Sequence, residues 1–351
     1  MTRPFTKPLV RMMGQSVGPV FGGIISNYLG FHAIFWFLFG LGALTLLLLL
    51  LVLPETLRSI AGNGTIRLTS VHRPLIYSFS PPRDELLERD TTPREKVTVS
   101  SIVAPLKFLF EKDVFITLFF GSIVYTVWSM VTSSTTALFQ GRFNLNDLQV
   151  GLVFLPNGAG CVAGSYLTGY LMDHDYKAIE RQYRQAKGIP ADTPLNKKEL
   201  IDFLIEKSRL RNIWWIIVIF VVTVALYGFS LPLNIIAIPL VLQFFIAYTA
   251  TAVFSFNSAL VTDLYPGASA SATAVNNLMR CSVGAACVAV VQLVIDAVGA
   301  GSTFALFAGI TAVLSPLLVI EWFYGKGWRG ERKERLRAKE EQKKAVDMEK
   351  K

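Results

Sequence analysis

Charged side chains are scarce in this chain. Asp, Glu, Lys and Arg make up 17% of its 351 residues, whereas a water-soluble domain carries about a quarter. The deficit is uneven, because long stretches contain almost no charge while a few loops and the C-terminal end are crowded with it. Since 52% of the residues are hydrophobic, this distribution excludes an ordinary soluble protein and indicates several segments buried in a lipid bilayer.

Cysteine and histidine are also rare, with three of each. The cysteines lie in apolar stretches without a CxxC pair, so neither a disulfide framework nor a zinc site is expected. The histidines are far apart and have no Cys or carboxylate at a metal-ligand spacing. These residues are Cys161, Cys281, Cys287, His32, His72 and His174. We therefore expect no metal and no cofactor.

Eight apolar segments are long enough to cross a bilayer, which takes about 20 residues of helix. Residues 31–53 are the clearest, because they contain a run of leucines and no Asp, Glu, Lys or Arg. The first segment is interrupted by Pro19 and several glycines, although such residues are common in membrane helices. The eight predicted spans are residues 10–29, 31–53, 114–137, 149–172, 212–231, 235–262, 268–296 and 302–324.

Positive charge is concentrated on one side of these spans. With the N-terminus in the cytoplasm, 32 of the 34 Lys and Arg residues fall on the cytoplasmic side, while Arg142 lies opposite and Arg280 lies inside a span. Cytoplasmic loops of membrane proteins carry such an excess, so both termini are predicted to be cytoplasmic. The net charge of +9 is thereby explained by topology, and no nucleic-acid partner is expected.

The spans divide the chain into four predicted regions. Residues 1–53 carry the first two spans, and residues 54–113 form a polar cytoplasmic linker that ends in an interfacial helix. Residues 114–324 form a six-helix bundle, in which residues 173–211 are a cytoplasmic loop with a polar helix around 196–209. Residues 325–351 form a basic cytoplasmic tail, which is either a solvated helix near anionic lipid or a disordered segment.

A glycine-rich pattern marks the first span. Gly14, Gly18 and Gly22 recur at every fourth position, and Pro19 and Gly23 accompany them. Glycines at this spacing leave one helix face without side chains, so that a neighbouring helix can approach closely, and Pro19 bends the helix. The pattern resembles the antiporter motif in the fifth helix of major facilitator antiporters, but it also fits a packing face without any transport role.

Three later stretches resemble the fungal drug/proton antiporter branch of that superfamily, which includes quinidine-resistance and dityrosine-type transporters. LPETLRSIAGNGTI resembles the end of its sixth helix, and DLYPGASASATAVNNLMRCSVGA resembles its eleventh. GLVFLPNGAGCVAGSYLTGYLMDHDYK resembles its eighth helix and the loop after it. There Gly169, Asp173 and Lys177 match the GxxxDRxxR loop motif, except that His174 replaces its arginine.

The resemblance implies an all-α integral membrane protein, in which the last two helices of an N-terminal bundle precede the complete C-terminal six-helix bundle of a major facilitator fold. Its implied function is secondary active transport: protons drive the export of small organic compounds or drugs across the plasma membrane or, alternatively, the vacuolar membrane. The family has twelve spans, so four are missing from the match, and Phe5 replaces a glycine of the full motif.

Two expectations follow from the missing spans. One is that the chain works with a missing N-terminal half. The alternative is a truncated, non-transporting membrane protein or interaction module that keeps the C-terminal bundle.

Polar residues inside spans are functional candidates, because hydrocarbon penalises them. Arg280 is foremost, since it lies about 18 Å into its helix and near mid-depth; it is expected either to contact substrate or gate the pathway, or to join an interhelix hydrogen-bond network. Tyr125 and Trp128 either line an aromatic pocket for flat or cationic molecules or serve packing at the membrane interface. The substrate-pathway candidates are Tyr125, Trp128, Asn157, Gln243, Tyr248, Asn257, Asn276, Asn277 and Arg280.

Other function classes lack their sequence signals. The chain has no HExxH motif, no nucleotide-binding loop and no grouped Ser, His and Asp, which argues against an enzyme. It has no selectivity-filter segment, which argues against a channel. No carboxylate lies near the middle of a predicted span, so the sequence itself indicates no proton carrier.

Overall fold

The computed structural model describes residues 6–53, 106, 109–188, 209–264 and 269–349. Throughout these residues the regular structure is helical, which confirms the predicted all-α class. The α-helices are α1 (Thr6–Leu29), α2 (Phe31–Val52), α3 (Lys112–Phe143), α4 (Asp147–Lys187), α5 (Ile213–Ser230), α6 (Ala237–Leu264), α7 (Ser269–Val298), α8 (Ala300–Leu314) and α9 (Pro316–Glu349). A 3₁₀ turn, Leu231–Leu233, follows α5.

Seven segments of the described chain are long and apolar enough to cross a membrane, where the sequence predicted eight. They are Phe31–Val52, Lys112–Phe143, Asp147–Lys187, Ile213–Leu233, Ala237–Leu264, Ala270–Val298 and Ala300–Arg332. The first predicted span differs, because only Val17–Leu29 of α1 forms an apolar stretch, and that stretch is shorter. Lys7, Arg11 and Gln15 make the first half of α1 too polar to extend it.

Contacts divide the chain into two compact units, and the boundary falls inside α1. One unit comprises Met1–Ile24 and Ala104–Lys351, and therefore contains the described part of the predicted six-helix bundle. The other comprises Ile25–Val103 and contains α2, which is apolar along its whole length and has no buried residue. The linker predicted at residues 54–113 and most of its interfacial helix lie outside the described residues.

Small residues set the packing of the larger unit. The most extensive helix pair is α4 with α6, followed by α3 with α7 and α5 with α8. A Cβ atom built on Gly164 of α4 would lie 2.5 Å from the backbone oxygen of Tyr248 on α6. On α5, a Cβ on Gly228 would lie 2.6 Å from the backbone oxygen of Ala300. These glycines therefore bring backbones into contact, as small residues do between membrane helices.

The helix α4 extends well beyond its predicted end. The sequence places a loop from residue 173, yet the helix continues to Lys187 and ends at Gly188, whose left-handed backbone (φ 64°) is a common helix terminus. Polar side chains exclude residues 173–187 from the apolar span, but they are compatible with a helix in water. The loop prediction for residues 173–187 is therefore wrong, and the polar helix around residues 196–209 lies largely outside the described residues.

The last predicted span is divided at a turn. The helix α8 ends at Leu314 and α9 begins at Pro316, whose ring nitrogen has no hydrogen to donate to the preceding turn. Beyond the span, α9 continues to Glu349, so of the two alternatives for the basic tail the structure shows the helical one. The side chain of Arg332 on α9 forms a buried ion pair with Asp113 at the start of α3, with 2.5 Å between nitrogen and oxygen.

A glycine-to-alanine pair tests the packing of α4. In Gly164→Ala the new methyl group must displace the backbone of α6, and such overpacking costs about 1–3 kcal/mol. In Gly309→Ala, on α8, the methyl group meets no atom of the described residues within 4 Å. We expect thermal unfolding of the purified protein to shift clearly downward for Gly164→Ala and not for Gly309→Ala. Equal melting temperatures for both variants would contradict close packing between α4 and α6.

Candidate substrate pocket

A cavity of about 470 Å³ lies within the larger unit. This volume is in the range of small-molecule sites. Its wall combines aromatic rings with hydroxyl and amide groups, contributed by α1, α3, α4 and α7. The lining residues are Pro19, Tyr125, Trp128, Ser129, Thr132, Ser133, Phe154, Asn157 and Val288. The structure thus brings three of the sequence-predicted candidates, Tyr125, Trp128 and Asn157, into one pocket.

Hydrogen bonds fix the polar wall of this pocket. The indole Nε1 of Trp128 donates to Oδ1 of Asn157 at 3.0 Å, which joins α3 to α4. The Thr132 hydroxyl donates to the carbonyl of Trp128 at 2.9 Å, and the Ser133 hydroxyl donates to that of Met130 at 3.2 Å. Because these hydroxyl protons are used inside the helix, their oxygens remain available as acceptors toward the cavity.

Arg280 lies next to the pocket and behind one of its walls. Its guanidinium carbon is 4.6 Å from the ring centroid of Tyr125 and 4.5 Å from that of Phe254. Tyr125 lines the cavity, whereas Arg280 does not. The two rings stabilise the cation through their π faces, and they leave the charge itself unneutralised.

No Asp or Glu of the described chain forms an ion pair with Arg280, and its buried Nε has no hydrogen-bond partner there. An unpaired guanidinium in the middle of a membrane helix is costly. Arg280 was expected either to contact substrate or gate the pathway, or to join an interhelix hydrogen-bond network. Among the described residues, no hydrogen bond of Arg280 supports the network. The arrangement suits an anion that arrives from outside the protein.

A second group of buried polar atoms lies on α3 and α6, the helices whose Tyr125 and Phe254 contact Arg280. Asn257 is 2% exposed, and its side chain packs directly on the backbone of Gly121 in α3. Its Oδ1 is buried and has no hydrogen-bond partner in the described structure, and the same holds for Oγ1 of Thr126. Buried polar groups are normally satisfied, so these acceptors require an explanation.

Gln243 belongs to a different polar cluster. Its Nε2 donates to the hydroxyl oxygens of Thr135, at 2.9 Å, and Tyr227, at 3.2 Å, inside the bundle. Tyr248 is half-buried and provides the backbone on which Gly164 packs. Asn276 is buried and Asn277 half-buried on α7, and neither lines the cavity. The structure therefore does not bring these four candidates into the pocket.

The glycine motif of α1 makes a close contact with the bundle at Gly23. A Cβ on Gly23 would lie 2.6 Å from the backbone oxygen of Asp147 and 3.2 Å from Cα of Gly151. By contrast, among the described residues a Cβ on Gly14, Gly18 or Gly22 would meet no atom within 4 Å. The close contact therefore lies one residue after Gly22, and a packing face through Gly14, Gly18 and Gly22 stays a prediction.

Pro19 of the same motif lines the cavity, as described above. The motif therefore reaches the pocket through its proline and the packing interface through Gly23.

The predicted loop motif lies on a helix. Gly169, Asp173 and Lys177 all belong to α4, and the side chains of the last two are exposed. The buried carboxylate in this region is that of Asp175, which accepts a short hydrogen bond from the side-chain amide of Asn212. Sequence reasoning missed it because the motif pattern drew attention to Asp173, two residues earlier.

An ion pair near this point was missed as well. The guanidinium of Arg209 is 2.8 Å from a carboxylate oxygen of Asp263 on α6 and 5.1 Å from the ring centroid of Tyr176 on α4. Because Arg209 and Asp263 are far apart in sequence, only a contact prediction could have found this ion pair. In the described chain, no group of three or more His, Cys, Asp or Glu side chains is arranged to hold a metal ion.

Comparisons with known proteins match this architecture. Residues 9–189 match the Major Facilitator Superfamily profile. The chain is 57% identical to "Citrate exporter 1" of Aspergillus niger over 94% of its own length and 63% of the relative's. It is 32% identical to "MFS-type transporter clz19" of Cochliobolus lunatus, over 91% of this chain and 59% of that one.

A more distant similarity is to "MFS antiporter QDR2" of Candida albicans, at 27% identity over 88% of this chain and 61% of the relative. No solved structure matches the chain. The chain spans about 63% of the length of the citrate exporter that it resembles.

Proposed function

Because this chain belongs to the major facilitator superfamily and is therefore a multi-pass membrane transporter and not an enzyme, we propose that it exports small organic carboxylates. Transport would proceed by alternating access, with helical bundles moving about a central site, and would be driven by protons. We further propose a plasma-membrane location and, from the one-sided distribution of Lys and Arg, a cytoplasmic position for both termini.

The observation that carries the proposal is the unpaired charge of Arg280 beside the pocket. Two aromatic rings contact its guanidinium, and no carboxylate of the described chain neutralises it. Coulomb interactions are strong where water is scarce, so this cation attracts anions and repels cations. A guanidinium also presents paired N–H donors that match both oxygens of a carboxylate.

Sequence similarity supports the same substrate class. The relative at 57% identity is named for citrate export, and citrate carries three carboxylates. The relatives named as QDR antiporters are 27% and 30% identical. The order of these similarities favours an organic anion over the drugs that the sequence motifs alone suggest.

Export of drugs by proton antiport is the second candidate. It is favoured by the aromatic part of the pocket wall, Tyr125 and Trp128, whose rings meet edge to face with centroids 5.7 Å apart. Such a wall accommodates flat aromatic molecules. The charge of Arg280 opposes this candidate for cationic drugs, but not for neutral or acidic ones.

Reconstitution of the purified chain into liposomes separates these candidates. We expect labelled citrate trapped with the protein to leave the vesicles faster when the outside is made acidic, and a cationic dye such as rhodamine 6G to stay. Release of rhodamine without release of citrate would contradict the proposal and favour drug export. A folded, inserted protein that moves neither compound would instead support the alternative of a non-transporting membrane protein or interaction module.

A further inference from the structure

The polar atoms around Arg280 indicate which carboxylates the site prefers. We infer that Arg280 and Asn257 form one substrate subsite beneath Tyr125, in which Arg280 binds a carboxylate and Asn257 accepts a hydrogen bond from a neighbouring hydroxyl group. The inference rests on the proposed export of carboxylates and narrows it to hydroxy acids.

Neighbouring contacts place the two residues together. The Asn257 side chain packs on Gly121 of α3. One helical turn further along α3, the ring of Tyr125 contacts the guanidinium of Arg280. On α6, Phe254 lies three residues before Asn257, and its ring contacts the same guanidinium. One turn of helix rises about 5.4 Å. Asn257 and Arg280 therefore contact positions one helical turn apart on α3, and on α6 Arg280 contacts a position three residues from Asn257.

The free atoms of this pair have opposite chemistry. Arg280 can only donate hydrogen bonds, and its buried Nε has no partner in the described part of the chain. The buried Oδ1 of Asn257, also without a partner there, can only accept. A carboxylate satisfies the donor but not the acceptor. A hydroxyl group on the adjacent carbon supplies the missing proton donor.

The described residues around Asn257 donate no hydrogen bond to this acceptor. A glycine, Gly121, stands opposite Asn257, so this position of α3 offers it no side chain. Because leaving a buried acceptor unsatisfied is costly, we expect a substrate that brings a hydroxyl to bind about tenfold more tightly than one that does not, which corresponds to about 1.4 kcal/mol.

Tyr125 determines how the subsite is reached. Tyr125 lines the cavity, and its ring also contacts the guanidinium of Arg280. In this conformation Tyr125 therefore borders both the cavity and the subsite. A carboxylate that displaces the Tyr125 ring from Arg280 would connect the cavity to the subsite. The hydroxyl groups of the cavity wall would then contact the rest of the molecule.

The test compares acids that differ only by a hydroxyl group. In proteoliposomes carrying the chain, unlabelled malate and succinate compete with labelled citrate, and so do citrate and its deoxy analogue tricarballylate. We expect each hydroxy acid to compete about tenfold more strongly than its partner. Equal competition within both pairs would overturn the inference while leaving carboxylate export intact, whereas absence of any citrate transport would overturn the proposed function itself.

Variants then assign the preference to a residue. Asn257→Leu is similar in size but has no acceptor, and it should lower the malate-to-succinate ratio to about one. Asn257→Ala, which is smaller than asparagine, serves the same purpose if the leucine variant does not fold. A tenfold ratio that survives in either folded variant would overturn the role of Asn257, because a merely structural side chain would change expression or stability without changing this ratio.

Discussion

Replacement of Arg280 by alanine is expected to reduce citrate export strongly at low citrate concentration while the protein remains folded and inserted. The variant loses the positive charge beside the pocket, which no carboxylate of the described chain pairs with. Hydrogen bonds to charged groups contribute about 1.5–3 kcal/mol, which corresponds to about 10- to 100-fold in apparent affinity. Initial rates of labelled citrate efflux from proteoliposomes, at several concentrations, measure the loss.

Arg280→Lys is the matched control for this prediction. Lysine keeps the positive charge but not the planar group that stacks on Tyr125 and Phe254 and binds a carboxylate through two N–H donors. We expect partial activity with weaker apparent affinity. Export by Arg280→Ala at the wild-type rate and affinity would remove this residue from the substrate site.

Loss of the ion pair between Asp113 and Arg332 is expected to destabilise the protein strongly. Their side chains are 2% and 6% exposed, and the pair joins the start of α3 to the C-terminal helix α9. In Asp113→Ala the buried guanidinium of Arg332 loses this one of its contacts, and removal of one partner of a buried pair costs on the order of 3 kcal/mol. Thermal unfolding in detergent should show a clear decrease in melting temperature.

A neighbouring pair provides the control. Arg335 contacts Glu111 at 2.9 Å, but the arginine side chain is 61% exposed. Exposed ion pairs contribute at most about 1 kcal/mol, so Arg335→Ala should leave the melting temperature nearly unchanged. If Asp113→Ala were as harmless as Arg335→Ala, the contact between α9 and α3 would not stabilise the fold.

The sequence predicts the helices well where hydrocarbon alone determines them. The segment 31–53 appears as α2, Phe31–Val52, because a continuous apolar run has one stable state in a bilayer. The charge of Arg280 inside an apolar helix is likewise visible without any structure, and its role in a substrate site stays a prediction. Both predictions depend on composition within a single segment.

Packing between helices could not be predicted in the same way. The i, i+4 glycine pattern predicted a face through Gly18, yet Gly23 makes the close contact, because a helix face is chosen by its neighbours. The partners of Asp175 and Asp113 could not be predicted, since Asn212 and Arg332 lie far away in sequence. The end of α4 was misplaced because hydropathy marks where a span ends and not where a helix ends.

Protection of a cysteine in the pocket tests the central claim directly. In a variant without its native cysteines, Ser129→Cys places a thiol on the cavity wall, and a small maleimide reports its accessibility. We predict that citrate slows labelling severalfold when residue 280 is arginine and has no effect after Arg280→Gln. Labelling that citrate leaves unchanged with Arg280, or slows equally in both proteins, would contradict the account.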